Sequence, residues 1–180
     1  MKTVALFGGS FDPPHIGHIA LVKELVKLPY IDEIIVMPTY LSPFKSQSYA
    51  PSELRIKWLK DIFKNMQKVF VSDYEVNLKR KVATIESVEH IIPLYTKIFV
   101  VIGADNLQTL SQWQAYDTLQ RKVQFIVASR DDIPVTEEFI HLKIDEKVSS
   151  SQLRHDIKIH SLPPMCAKEI IQFYKEKNER

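Results

Sequence analysis

"FGGSFDPPHIGH", residues 7–18, holds three of the chain's four glycines together with two prolines and two histidines. The apolar run "TVALF" (3–7) leads into it and the helical pattern "HIALVKELVKL" (18–28) leads out, so the stretch joins a buried strand to a helix. On that reading Gly8 and Gly9 let the backbone turn sharply and present N–H groups with no Cβ in the way. Gly17 and His18 open the helix, whose N-terminus favours an anion such as phosphate. His15 and His18 are three apart and face one direction if both lie in the first turn. Two imidazoles and a row of amides aimed at one point make a phosphate site. Such a site is most useful where negative charge builds up, as in phosphoryl or nucleotidyl transfer.

The rest of the chain repeats the strand-then-helix alternation. Strand patterns occur at "EIIVMP" (33–38), "KVFVSD" (68–73), "KIFVVIG" (97–103), "VQFIVASR" (123–130) and, more weakly, "HLKID" (141–145). Helical patterns cover 51–66, 84–95, 112–122, 150–158 and 164–174. In the helix 18–28, Ile19, Val22, Leu25 and Val26 share a stripe; in 51–66, the most regular, Ile56, Leu59, Ile62, Phe63 and Met66 do. The expectation is an α/β chain of one domain over 1–180, Rossmann-like, with a mostly parallel sheet and helices on both faces. Loops are expected at 39–51 and 77–83. In such folds ligand-binding groups gather at strand ends, where the motifs below fall.

Composition narrows the function. The 180 residues are 45% hydrophobic and 26% charged, the balance of a globular protein with a real core. Twenty-four basic and 22 acidic side chains leave a net charge of +2, which gives no general attraction to nucleic acid. Cys166 is the only cysteine, excluding an internal disulfide and suiting a reducing cytoplasm. The opening apolar run is too short for a signal peptide, and no run approaches the ~20 residues of a membrane span. Neither a resident metal site nor a nicotinamide-dinucleotide fingerprint is expected. His15 and His18 have no further ligands at metal spacing, and "GGSFDP" lacks Gly-x-Gly-x-x-Gly.

"GGSFDPPHIGH" resembles the signature of the nucleotidyltransferase superfamily, in which a His-x-Gly-His element serves ATP-dependent adenylyl transfer. His15-Ile16-Gly17-His18 also spells the signature of class I aminoacyl-tRNA synthetases, but this chain is short for one and has no tRNA-binding appendage. Within the smaller enzymes the closest resemblance is to bacterial nicotinate-nucleotide adenylyltransferases. It runs from end to end, through "SPFK" (42–45), "GADNLQTLSQW" (103–113), "VSSSQLR" (148–154) and "LPPMCAKEIIQFY" (162–174).

The resemblance implies a nucleotidyltransferase version of the fold, with ATP and nicotinate mononucleotide as substrates. It implies that His18 meets the developing charge at the α-phosphate, that His15 orients the triphosphate, and that Lys45 and Arg154 approach the phosphates. Gly8, Gly9, Ser10, Phe11, Gly103, Asp105, Ser150 and Ser151 would bind ATP, with Asp105 on the ribose. Thr84 and Trp113 would hold the mononucleotide, Trp113 stacking on the pyridine. Mg²⁺ would come with ATP, carried by phosphates and water.

One stretch departs from the pattern. Where the family has Ser-Tyr-Thr, this chain has Val82-Ala83-Thr84. Backbone donors survive such a change, but the choice of nicotinate over nicotinamide mononucleotide is left open. Two other readings use the same opening motif: a phosphopantetheine adenylyltransferase, and an ATP-binding regulatory module without turnover. The sequence sets no oligomeric state.

Overall fold

A computed structural model describes residues 2–129 and 134–180. Six strands, β1 (Lys2–Gly9), β2 (Glu33–Pro38), β3 (Val69–Val71), β4 (Tyr95–Gly103), β5 (Gln124–Ser129) and β6 (Ile140–Lys143), form one sheet. Its order is β3-β2-β1-β4-β5-β6 and every pairing is parallel. The chain therefore builds outward from β1 in one direction and then returns to β1's other side with β4. That reversal leaves a crevice at the carboxyl ends of β1 and β4, the place where open α/β sheets bind ligands.

The helices are α1 (Ile16–Lys27), α2 (Ser52–Phe63), α3 (Tyr74–Leu78), α4 (Thr84–Ile91), α5 (Tyr116–Lys122), α6 (Ser150–His155) and α7 (Ala167–Asn178). The period-2 geometry of each strand divides its apolar run between two cores. Ala5, Phe7, Ile34, Val36, Phe99 and Val101 face α1, α2 and α7, meeting Val22, Leu25, Trp58, Leu59 and Ile170. Val4, Leu6, Ile35, Met37, Val100 and Ile102 face the other way, against Ile85, Val88 and Ile91 of α4 and Leu119 of α5. Each fully buried aliphatic side chain contributes roughly 1.5–3 kcal/mol of transfer free energy, so both layers hold the sheet. Among the described residues no helix is long and apolar enough to cross a membrane.

The weak pattern at 141–145 has a structural reason: β6 is an edge strand whose residues are half-buried or exposed. Residue 130, the expected end of β5, lies outside the described residues. The expected helix over 84–95 is shorter. Helix α4 stops at Ile91, a 3-10 turn carries Pro93, and β4 already begins at Tyr95. Helix α3 falls at the start of the expected 77–83 loop. In α1 the buried stripe is Gly17, Leu21, Val22 and Leu25, rotated from the expected one, with Ile19 and Val26 only partly covered.

The two-core account predicts a contrast between leucines. Leu119 is fully buried under β4 and β5, whereas Leu94 is 67% exposed. In urea denaturation Leu119→Ala is expected to cost about 2–5 kcal/mol, and Leu94→Ala to stay within about 0.5 kcal/mol of the parent.

Candidate active site

The glycines at the end of β1 do not make the expected turn. The strand runs through Gly8 and Gly9, and no glycine takes a positive φ. The left-handed residue is Phe11, at φ 48°. Its ring is buried, edge-on to Phe7 at 5.3 Å and to His18 at 4.8 Å between centroids. A Cβ on Gly9 would lie 3.3 Å from that ring, so Gly9 makes room for Phe11. The approach to a ligand is thus made by bare strand backbone, and the turn is made two residues later.

The two histidines form the cap of α1. His15 is the N-cap residue; its Nδ1 accepts from Gly17 N–H at 3.1 Å, and His18 Nδ1 accepts from His15 N–H at 3.1 Å. This is a capping box built from imidazoles where carboxylates and hydroxyls are usual. The rings stack with centroids 3.7 Å apart. Because each Nδ1 uses its lone pair on a backbone donor, the neutral ring carries its proton on Nε2. Each histidine therefore directs an N–H away from the helix end. A Cβ on Gly17 would come within 2.9 Å of the His15 ring, so glycine lets that ring keep its place over the helix end.

Beneath the histidines lies a buried polar frame. Arg55, on α2, is wholly buried and donates to four backbone carbonyls: Ser10 (2.6 Å), Thr39 (2.8 Å), Tyr40 (3.0 Å) and Ala50 (3.0 Å). Burial lowers its proton affinity and the nearby Asp12 charge raises it again. The buried Asp12 carboxylate accepts from Tyr49 N–H (2.7 Å), Ala50 N–H (2.9 Å) and the Tyr174 hydroxyl of α7. The Asp12 carbonyl accepts from Arg154 Nη1 at 2.7 Å. Arg154 also reaches Ser151 Oγ at 3.1 Å, and its guanidinium carbon sits 4.5 Å from the Tyr49 ring centroid.

Two spaces open above this frame, both bordered by Gly8, Gly9, Gly103 and Asn106. The smaller, about 270 Å³, is lined by Phe11, His15, His18, Asp105 and Ser149–Ser151. Gly103 matters here: a Cβ on it would lie 2.5 Å from Asp105 Oδ1 and displace that carboxylate. Ser149 caps α6, and Ser150 Oγ donates to Pro13 carbonyl at 2.8 Å, tying α6 to the opening stretch. The larger space, about 500 Å³, is lined by Thr39, Pro43, Glu75, Lys81, Thr84, Ser87 and Trp113. Thr84 begins α4, whose Glu86 accepts from Ala83 N–H at 3.0 Å. The next two N–H groups have no acceptor within their own helix.

Lys45 Nζ donates to Ser10 Oγ at 3.2 Å, on the rim joining the loop after β2 to the opening stretch. Partial burial and the Arg154 charge both lower its pKa, with Arg55 adding to the effect and Asp12 opposing it. Positive charge is thus concentrated beside the opening stretch, against Ser10 and Asp12.

The structure brings most of the sequence-derived residues to one crevice: Gly8, Gly9, Phe11, His15, His18, Gly103, Asp105, Ser150 and Ser151 on one side, Thr84 and Trp113 on the other. Ser10 and Lys45 bond each other near the crevice, and Arg154 is packed under the opening stretch with only 9% exposure. Sequence reasoning missed Asp12, Arg55, Glu75, Asn106 and the contact from Tyr174. Arg55 did leave a signal, a charged residue at the position between Ser52 and Leu59 on the buried side of α2.

Residues 6–156 match the cytidylyltransferase-like family. A Sulfurimonas denitrificans protein named "Probable nicotinate-nucleotide adenylyltransferase" is 58% identical over 178 residues, covering 99% of this chain and 98% of that protein. A Nitratiruptor sp. protein of the same name is 44% identical, with 96% and 98% covered. Among solved structures, Plasmodium falciparum nicotinic acid mononucleotide adenylyltransferase complexed with NaAD superposes with a TM-score of 0.76 at 20% identity, over 99% of this chain and 97% of that one.

Two substitutions test the geometry. Ala favours helix over Gly by ~1 kcal/mol, so Gly17→Ala is expected to leave the fold intact while pushing the His15 ring aside. In ¹⁵N NMR the wild type should show His15 with Nδ1 unprotonated and Nε2 protonated, a pattern Gly17→Ala should lose. Arg55→Met leaves four buried carbonyls and Asp12 without their cation, and is expected to cost about 3–5 kcal/mol in chemical denaturation.

Proposed function

The chain belongs to the cytidylyltransferase-like family, in its nicotinate-nucleotide adenylyltransferase branch, and we infer that it transfers AMP from ATP to nicotinate mononucleotide. The products are nicotinate adenine dinucleotide and pyrophosphate, a step in making NAD. The observation that carries the reading is the pair of capped histidines lining the smaller space, each ring fixed by its Nδ1 bond to a backbone N–H.

The smaller space suits ATP. Asp105 can accept from two ribose hydroxyls, and the α1 N-terminus with its histidines faces phosphate. The larger suits the mononucleotide, with the Trp113 indole as a flat apolar wall and the first turn of α4 as a source of amides. An oxygen of the mononucleotide's phosphate attacks the α-phosphorus of ATP. The new P–O bond forms as the bond to the β-phosphate's bridging oxygen breaks, and its electron pair leaves with pyrophosphate. The nucleophile is already an anion at neutral pH, so the reaction needs positioning and charge stabilisation rather than a general base.

On this account His18 meets the charge developing at the α-phosphate and His15 orients the triphosphate. Ser10, Lys45 and Arg154 complete the cradle, which the crowding of positive charge around Lys45 supports. Among the described residues no group of three or more His, Cys, Asp or Glu could hold a metal. Asp12 already accepts three hydrogen bonds. This donor set fits Mg²⁺ carried by the nucleotide's phosphates and water, where it neutralises phosphate charge. The single buried Cys166 fits a cytoplasmic protein.

The test is pyrophosphate release with ATP and Mg²⁺, offering nicotinate mononucleotide, nicotinamide mononucleotide or phosphopantetheine. Release with a pyridine mononucleotide is expected; release with phosphopantetheine alone, or ATP binding without release, overturns the reading. His18→Ala is expected to lower kcat by about 100-fold or more with little change in ATP affinity. An unchanged kcat would remove His18 from the mechanism.

A further inference from the structure

Glu75 of α3 is an anomaly in the wall of the larger space. It is 6% exposed and lines the space beside Ala83, Thr84 and Ser87. Oε1 accepts from Ser87 Oγ at 2.6 Å, while Oε2 is buried with no partner. A carboxyl that lines a ligand space and leaves one oxygen without a protein partner can turn that oxygen to a bond the ligand supplies.

We propose that Glu75 Oε2 hydrogen-bonds the acidic or amide substituent on the substrate's pyridine ring and thereby sets the choice between the two forms. The inference rests on the reading given under Proposed function and deepens it. Ser87 lies one turn beyond Ala83 on α4, so Glu75 stands next to the amides of the α4 first turn, where a carboxylate would dock. The turn itself offers no side-chain donor at Val82 or Ala83. A side chain from the neighbouring helix can supply what that turn does not.

The chemistry depends on the proton. Burial raises Glu75 to about 7, the Glu86 charge adds to the rise, and the Ser87 bond opposes it. The other charged or titratable groups nearby are accounted for. Glu86 pairs with Arg80 at 2.6 Å, Lys81 Nζ reaches Pro43 carbonyl at 3.3 Å, and His90 stacks on Tyr74. The strand side chains in the wall, Leu6, Val100 and Ile102, are apolar. Below its titration Glu75 donates Oε2–H to the nicotinate carboxylate. Above it, the ionised group repels that carboxylate and accepts from an amide N–H. Preference for the acid therefore falls as pH rises.

The experiment compares kcat/KM for nicotinate and nicotinamide mononucleotides from about pH 6 to about pH 8.5 in the wild type, Glu75→Gln and Ser87→Ala. Taking the ratio cancels the titration of the phosphate that both substrates share. The wild-type acid-to-amide ratio is expected to fall about fivefold or more, and Glu75→Gln to make it flat. Ser87→Ala, which removes the bond that lowers Glu75's pKa, should move the midpoint to higher pH. A Glu75→Gln profile that still titrates like the wild type overturns the proposal, as does a flat wild-type profile. If Glu75→Gln does not fold, the direction of the Ser87→Ala shift decides, and no shift overturns it. Failure of the wild type to use either pyridine would instead overturn the functional reading, and this inference with it.

Discussion

The loops at the carboxyl ends of β1 and β2 depend on one buried cation, Arg55. Loops that leave a parallel sheet carry carbonyls that the ladder cannot pair, and burying them unpaired is costly. Arg55 meets that demand from a single position, because its planar guanidinium presents five donors in a fixed fork. It gathers the carbonyls of Ser10, Thr39, Tyr40 and Ala50, so the loops after β1 and β2 and the segment entering α2 are held to one another. A lysine could not reproduce this, since its three donors share one nitrogen. Asp12 completes the frame from the opposite charge, accepting from the 49–50 backbone and from Tyr174 near the end of the chain.

The frame explains how so few reactive groups suffice. The histidines have no role as free bases, because each Nδ1 lone pair is engaged by a backbone N–H and each Nε2 carries a proton. They are donors fixed in direction by the helix they cap. Two glycines protect that arrangement by what they lack: a Cβ at Gly17 would strike His15, and one at Gly103 would strike Asp105. Electrostatic stabilisation is strongest when its dipoles are set before the charge appears, and here packing and capping set them.

Much of this was legible in the sequence. The alternation of short apolar runs with amphipathic stretches specified the parallel sheet, and the crowding of glycine and histidine in 7–18 fell on residues that line the crevice. What stayed hidden shares a physical cause. Arg55 stands on the buried side of a regular amphipathic helix, but nothing local says which carbonyls it will hold, since they come from three separate segments. Asp12 and Tyr174 are 162 residues apart, and only α7's return beneath the opening stretch brings them together. Gly8 and Gly9 invited a turn, yet the chain keeps them extended and turns at Phe11, whose ring needs the space Gly9 leaves. Glu75 sits in a five-residue helix too short to show a period.

On the proposed mechanism the site positions an anionic nucleophile for one direct displacement and forms no bond to the protein. A chiral ATP with sulfur at the α-phosphate tests it, through the configuration at phosphorus in the dinucleotide product. Inversion is the expected result, the mark of a single in-line attack by the mononucleotide. Retention would require two displacements through an adenylylated side chain, and would contradict the assignment of both histidines as donors.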